Sequence, residues 1–261
     1  MFNHLFLCIY LNGDSMSNIN YAFIITLLAG LSTLIGFLFI YIKKDRVGVI
    51  SSSLGFAGGV MISVSILDLI PNSFILIKNN YVVINSIILV FIGLIIGITI
   101  SNIIKDKVEY EDKKLYKLGI ITMLVIILHN IPEGIATFIT TTNNIKLGMT
   151  LAIAIALHNI PEGIAISIPI YYSTSKKSRA LLYTFISAIS EPLGALLSYL
   201  FLSKYINESI LGILYSIIAG MMLNIGYNEL YKESKQYNKY NSIKYLIIGS
   251  LIMIINHLLF G

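Results

Sequence analysis

The stretch LGIITMLVIILHNIPEGIATFI, residues 118–139, is apolar along most of its length and carries a histidine, an asparagine and a glutamate in its second half. A run of about 18 or more such residues crosses the ~30 Å hydrocarbon core of a bilayer as a helix rising about 1.5 Å per residue. Seven other runs are of the same kind, and the eight spans cover roughly 21–42, 48–70, 82–104, 118–139, 147–170, 180–202, 210–228 and 243–260. None alternates with a period of two, so helices rather than a closed barrel must satisfy the backbone in lipid. The expected fold is an all-α polytopic membrane protein with eight transmembrane helices, forming one domain over residues 1–261.

Composition agrees with this. The chain is 56% hydrophobic and 12% charged, about half the charge fraction of a soluble domain. It holds no G-x-x-x-x-G-K-[ST] phosphate loop, so any transport has to run on gradients rather than on ATP bound here. The one cysteine, Cys8, excludes an intrachain disulfide and a cysteine zinc site. The first fifteen residues lack a basic region and an A-x-A-like cleavage site, so they read poorly as a signal peptide, and Met16 is an alternative start to Met1.

The net charge of +5 is explained by where the lysines and arginines lie. Fifteen of the 18 fall in the loops after spans 1, 3, 5 and 7: Lys43, Lys44 and Arg46; Lys105, Lys107, Lys113, Lys114 and Lys117; Lys176, Lys177 and Arg179; Lys232, Lys235, Lys239 and Lys244. Only Lys78, Lys146 and Lys204 occupy the other loops. The positive-inside rule then puts the basic loops in the cytoplasm and both termini outside, in the plasma membrane. The expected surroundings are a lipid bilayer, not nucleic acid. The 105–117 loop also carries Asp106, Glu109, Glu111 and Asp112 and reads as a solvated connection.

Acids inside spans are costly and point to function. His129-Asn130-Ile131-Pro132-Glu133-Gly134 recurs in the next span as His158-Asn159-Ile160-Pro161-Glu162-Gly163. Histidine and glutamate four residues apart share one helix face, about 6 Å apart along the axis. Two adjacent helices that each offer imidazole and carboxylate make a metal site between facing helices. Asn130 and Asn159 can add amide oxygens. Pro132 and Pro161 free the carbonyls of Leu128 and Leu157 and are expected to kink their helices. Gly134 and Gly163 are expected to bring spans 4 and 5 close together, and Gly55, Gly58 and Gly59 to do the same for span 2. Glu191, beside Pro192 in span 6, has no lysine or arginine in any span interior to pair with, so a cation is its natural partner. Asp68 is read as the end of span 2, either an entrance carboxylate or an interfacial acid. Glu229, near the end of span 7, is either an exit ligand or a solvated acid. His4 and His257 read as ordinary surface histidines.

At these residues the chain resembles the ZIP (Zrt/Irt-like) family of metal transporters, especially its short bacterial members. The likeness rests on the two HNIPEG segments, on Ser190-Glu191-Pro192-Leu193-Gly194 and on the Gly55–Pro71 stretch. It implies a metal site between spans 4 and 5, often binuclear: one ion held by His129, Glu133, His158 and Glu162, a second by Asn130, Asn159 and Glu191, with Glu133 and Glu162 shared. It also implies an alternating-access movement of spans 1, 4, 5 and 6 against the rest. The span 7 motif departs from the family pattern, because Asn228-Glu229-Leu230-Tyr231 has one acid and no proline. The histidine-rich loop of many eukaryotic members is absent.

The expected function is import of Zn²⁺, with Fe²⁺, Mn²⁺ and Cd²⁺ as further substrates, since imidazole and carboxylate ligands discriminate weakly among such metals. A divalent ion moving inward gains about 4.6 kcal/mol per 100 mV of inside-negative potential. No cofactor is expected, and a homodimer is the assembly considered. The alternative is an intramembrane metalloenzyme, a hydrolase built on the same centre, although H-E-x-x-H and Glu-x-x-His are both missing.

Overall fold

A computed structural model describes residues 13–42, 45–108, 114–200 and 207–260. The readings placed on His4, Cys8, Lys43, Lys44, Glu109, Glu111, Asp112, Lys113 and Lys204 lie outside the described residues. Among the described residues the regular structure is helical throughout. Eight helices are long and apolar enough to cross a membrane: α1 (Asn18–Tyr41), α2 (Arg46–Lys78), α3 (Val83–Lys107), α4 (Lys114–Asn143), α5 (Ile145–Thr174), α6 (Lys177–Leu200), α7 (Glu208–Tyr237) and α8 (Lys239–Phe260). Starts are set by side-chain caps where the sequence supplies them. Asp45 accepts from Gly48 N at 2.6 Å, Asn144 from Leu147 N at 3.1 Å and Asn207 from Ile210 N at 2.9 Å. Ser175, at φ 56°, ends α5 in the left-handed conformation and turns the chain into α6.

Two helices run further than their hydropathy implies. α2 continues through Pro71 to Lys78, so Asp68 lies well inside the helix and not at its end. A π-helical turn at Ser65–Leu69 makes this continuation workable. There Ile70 N–H bonds Ser65 O, five residues back, and the ladder is already out of α register where Pro71 supplies no N–H. α7 extends to Tyr237 through a second π-helical turn, Ile225–Tyr231, which contains Glu229.

The helices sort into two groups. α1, α4, α5 and α6 pack on one another, and α2, α3, α7 and α8 do the same. Between the groups, contact falls mainly on α2 against α5, with smaller areas at α8–α5 and α7–α4. Glycines draw the same division. A Cβ on Gly134 would strike the carbonyl oxygen of Glu191 (α4 on α6), and one on Gly163 would strike that of Thr33 (α5 on α1). These two glycines therefore seal α4 and α5 to α6 and α1, and do not join α4 to α5 as the sequence suggested. In the other group Gly59 meets Leu246 O, Gly220 meets Leu94 O, Gly97 meets Ile217 O and Gly249 meets Phe56 O. Gly55 and Gly58 likewise abut Ser242 O and Gly226 O, as expected for span 2. Among the described residues, every glycine in contact with a second helix touches one of its own group.

These contacts come in matched pairs. Gly134 on Glu191 repeats as Gly163 on Thr33, Gly194 on Ile131 as Gly36 on Ile160, and the Asn130 amide on Ser187 O as the Asn159 amide on Ala29 O. In the other group Gly59 on Leu246 repeats as Gly220 on Leu94, and Gly97 on Ile217 as Gly249 on Phe56. One internal two-fold thus exchanges α1 with α6, α2 with α7, α3 with α8 and α4 with α5. Each exchange matches a helix to one crossing in the opposite sense, the arrangement of an inverted repeat with its binding site near the midplane.

Gly59→Val forces α2 and α8 apart at backbone level, and overpacking of this kind costs about 2 kcal/mol. The variant should lose about that much in a reversible unfolding titration in mixed micelles. Ser250→Ala removes only the 3.3 Å bond from Ser250 Oγ to Gly59 O and should cost under about 1 kcal/mol.

Candidate metal centre

The two HNIPEG segments face each other across α4 and α5 and meet on the two-fold. His129, Asn130, Glu133, His158, Asn159, Glu162 and Glu191 are all buried. Both helices continue through their prolines, Pro132 and Pro161, so the four-residue step from histidine to glutamate keeps both side chains on one face. Glu133 Oε1 lies 3.2 Å from His129 Nε2 and 3.2 Å from His158 Nε2, and Glu162 Oε1 lies 3.4 Å from His129 Nε2. The imidazole rings are 6.1 Å apart between centroids. His129, Glu133 and His158 can each direct a ligand atom at one point. With metal–ligand bonds of about 2.0–2.1 Å and tetrahedral angles, neighbouring ligand atoms stand about 3.3 Å apart. The three distances match that spacing. His129 Nε2 forms no aligned hydrogen bond despite its two close carboxylates.

The flanking residues supply oxygen. Asn159 Nδ2 donates to Glu191 Oε2 at 2.8 Å and to Ala29 O at 3.0 Å. Asn130 Nδ2 donates to Ser187 O at 3.2 Å. Each amide is anchored through its nitrogen, which leaves Asn130 Oδ1 and Asn159 Oδ1 free of protein donors. Glu191 Oε1 and both oxygens of Glu162 are also buried without a hydrogen-bond partner. Buried carboxylates without partners cost several kcal/mol each. Donors that remain unpaired and all offer lone pairs fit a cation. Symmetry breaks at one position here: the two-fold matches Glu191 of α6 to Thr33 of α1, so the third carboxylate stands on one side only.

The remaining candidates lie away from this cluster. Asp68 Oδ1 bonds His257 Nδ1 at 2.6 Å, so His257 is a partner of an intrahelical acid and not an ordinary surface histidine. The two are 189 residues apart in sequence, and no local pattern could have joined them. Glu229 Oε1 pairs with Lys105 Nζ at 2.7 Å. Lys114 of α4 reaches Glu233 of α7 at 2.6 Å, and Arg46 of α2 reaches Tyr172 O of α5 at 2.9 Å, so polar ties cross between the groups at the lysine-rich end.

Comparison with known proteins follows the same lines. A family model described as ZIP Zinc transporter matches residues 104–257. The zinc transporter ZupT of Clostridium perfringens is 36% identical, over 95% of this chain and 99% of its own length. That of Streptococcus mutans is 39% identical over 92% and 97%, and that of Campylobacter jejuni 36% over 92% and 96%.

Glu133→Ala removes the carboxylate shared by both histidines. Zinc affinity of the detergent-solubilised protein, read by calorimetry, should fall by about 100-fold, equivalent to about 2.7 kcal/mol. Asn130→Ala should cost about tenfold or less. Equal losses would place the main binding energy elsewhere than His129, Glu133 and His158.

Proposed function

Because the chain belongs to the ZIP family of zinc transporters, we propose that it carries zinc across the plasma membrane into the cytoplasm through the centre between α4 and α5. The observation that carries this reading is a buried set of imidazole and carboxylate atoms at metal-ligand spacing, with further oxygens unpaired. His129, Glu133, His158 and Glu162 hold one ion in this reading. Asn130, Asn159 and Glu191 hold a second, with Glu133 and Glu162 as bridging carboxylates. The free Asn130 Oδ1, Asn159 Oδ1 and Glu191 Oε1 support the second position. Iron, manganese and cadmium enter as further substrates, because nitrogen and oxygen donors without thiolate rank these metals loosely.

Direction and orientation belong to the same proposal. The lysine-rich ends of the helices face the cytoplasm and both termini face outward. Asp68 then lies on the outer side of the centre and serves as the entrance carboxylate. Glu229 lies on the inner side and serves as the exit carboxylate. The two-group architecture supports movement of α1, α4, α5 and α6 against the rest, because the site is carried by helices of the first group alone. A homodimer is retained as the assembly. α3 and α8 present the least buried apolar faces, and native mass spectrometry in mild detergent reads the state directly. The hydrolase alternative gains no support, since the family is one of transporters and not enzymes.

Zinc uptake into proteoliposomes under an inside-negative potential should be robust in the native chain and absent in Glu133→Ala and in Glu162→Ala. Uptake that survives both changes would sink the proposed route. Metal-dependent hydrolysis lost in those variants, with no flux, would favour the enzyme instead. Orientation has its own check in a background lacking Cys8. Asn80→Cys should react with a membrane-impermeant maleimide on intact cells, and Ser175→Cys should react only after permeabilisation. The opposite pattern would invert the topology.

A further inference from the structure

Among the acid–base pairs outside the metal centre are Asp68 with His257 at 2.6 Å and Glu229 with Lys105 at 2.7 Å. They are one contact built twice. The register that matches Gly59 to Gly220 also matches Asp68 to Glu229, and the register that matches Gly97 to Gly249 also matches Lys105 to His257. Each acid lies in one of the two π-helical turns, Ser65–Leu69 and Ile225–Tyr231. Each base lies in the last turn of the helix packed beside it, α8 for Asp68 and α3 for Glu229. Both pairs belong wholly to the α2, α3, α7, α8 group. They lie at opposite membrane levels, because the two-fold inverts the helices it exchanges.

The two copies differ in chemistry. Histidine offers a lone pair when neutral and can ligate a divalent ion together with its aspartate. Lysine keeps a fixed positive charge near neutral pH, has no free lone pair as an ammonium, and competes with a metal for the same oxygen. The surroundings deepen the contrast. A cavity of about 360 Å³ beside Glu229 is lined by Lys105, Lys114, Lys117 and Lys232 against only two acids, Glu229 and Glu233. The Lys105 side chain is 44% exposed and that of Glu229 14%. An ion pair so open to water adds little to stability, and its longer member can swing away from the carboxylate.

We propose that Lys105 is a tethered cation at the inner mouth. It holds Glu229 at rest, gives way while a released divalent ion passes, and then retakes the carboxylate, so that ions neither linger there nor lodge from the cytoplasmic side. Its repeat-related counterpart, Asp68 with His257, carries no such fixed charge and leaves the outer mouth able to accept metal. The proposal rests on the orientation and transport reading given above.

Two readouts test it. In zinc titrations of the detergent-solubilised full chain, Lys105→Met should gain a bound zinc equivalent that the native chain lacks at the same concentration. Lys105→Met/Glu229→Gln should lose it again, and Lys105→Arg should match the native chain. In proteoliposomes, zinc preloaded on the cytoplasmic face should inhibit uptake about tenfold more potently in Lys105→Met than in the native chain. A folded Lys105→Met with unchanged zinc stoichiometry and unchanged inhibition overturns the proposal. Sensitisation confined to the outer face overturns the assignment to the inner mouth. The titration needs no flux, so a native chain that moves no zinc would sink the transport reading while the extra site is still judged by binding.

Discussion

A carboxylate inside hydrocarbon has to be neutralised, and Glu133, Glu162 and Glu191 lie in the buried interior of a lipid-spanning bundle with no lysine or arginine among them. Their close neighbours are two histidines and one asparagine amide. That shortage organises the rest of the molecule. It forces α4 and α5 to be the most enclosed helices, and it makes the walls around them the other members of their own group. The asparagines show the economy of the arrangement, because each commits its nitrogen to a neighbouring backbone carbonyl and keeps its oxygen buried and free of protein donors.

The internal two-fold explains why so few residue types suffice. A site on the axis receives the same histidine, asparagine and glutamate from both sides, so one local motif written twice furnishes most of the donors. Departures from symmetry are then the informative positions. Thr33 stands where Glu191 stands, and Lys105 where His257 stands. The first difference sets how much negative charge the centre holds. The second separates the two ends of the α2, α3, α7, α8 group.

The spans and the centre were legible in the sequence because both rest on local information. An apolar run announces a helix by its own length, and His129 with Glu133 announces a shared face by its four-residue spacing. Pairing between helices was not legible, since hydropathy says that a face is apolar without saying what covers it. Gly134 and Gly163 therefore suggested an α4–α5 seam, whereas their neighbours are Glu191 and Thr33. The apolar run read as 48–70 puts Asp68 at a helix end, whereas α2 continues past the π-helical turn at Ser65–Leu69 and through Pro71 to Lys78. His257 looked idle for a related reason: its partner is on a helix six spans earlier.

The glycine contacts have one more consequence. Inside each group, glycines let backbone rest on backbone, and the spacing between axes cannot change without breaking those close contacts together. Among the described residues no glycine holds the backbones of the two groups in contact, and α2 reaches α5 through side chains such as Arg46, which bonds Tyr172 O. Side chains exchange rotamers far faster than packed helices separate. The boundary thus resembles a bearing, with stiff parts on either side and a compliant film between them. The bulk of the residues that α2 and α5 present to each other therefore sets how closely the two groups fit.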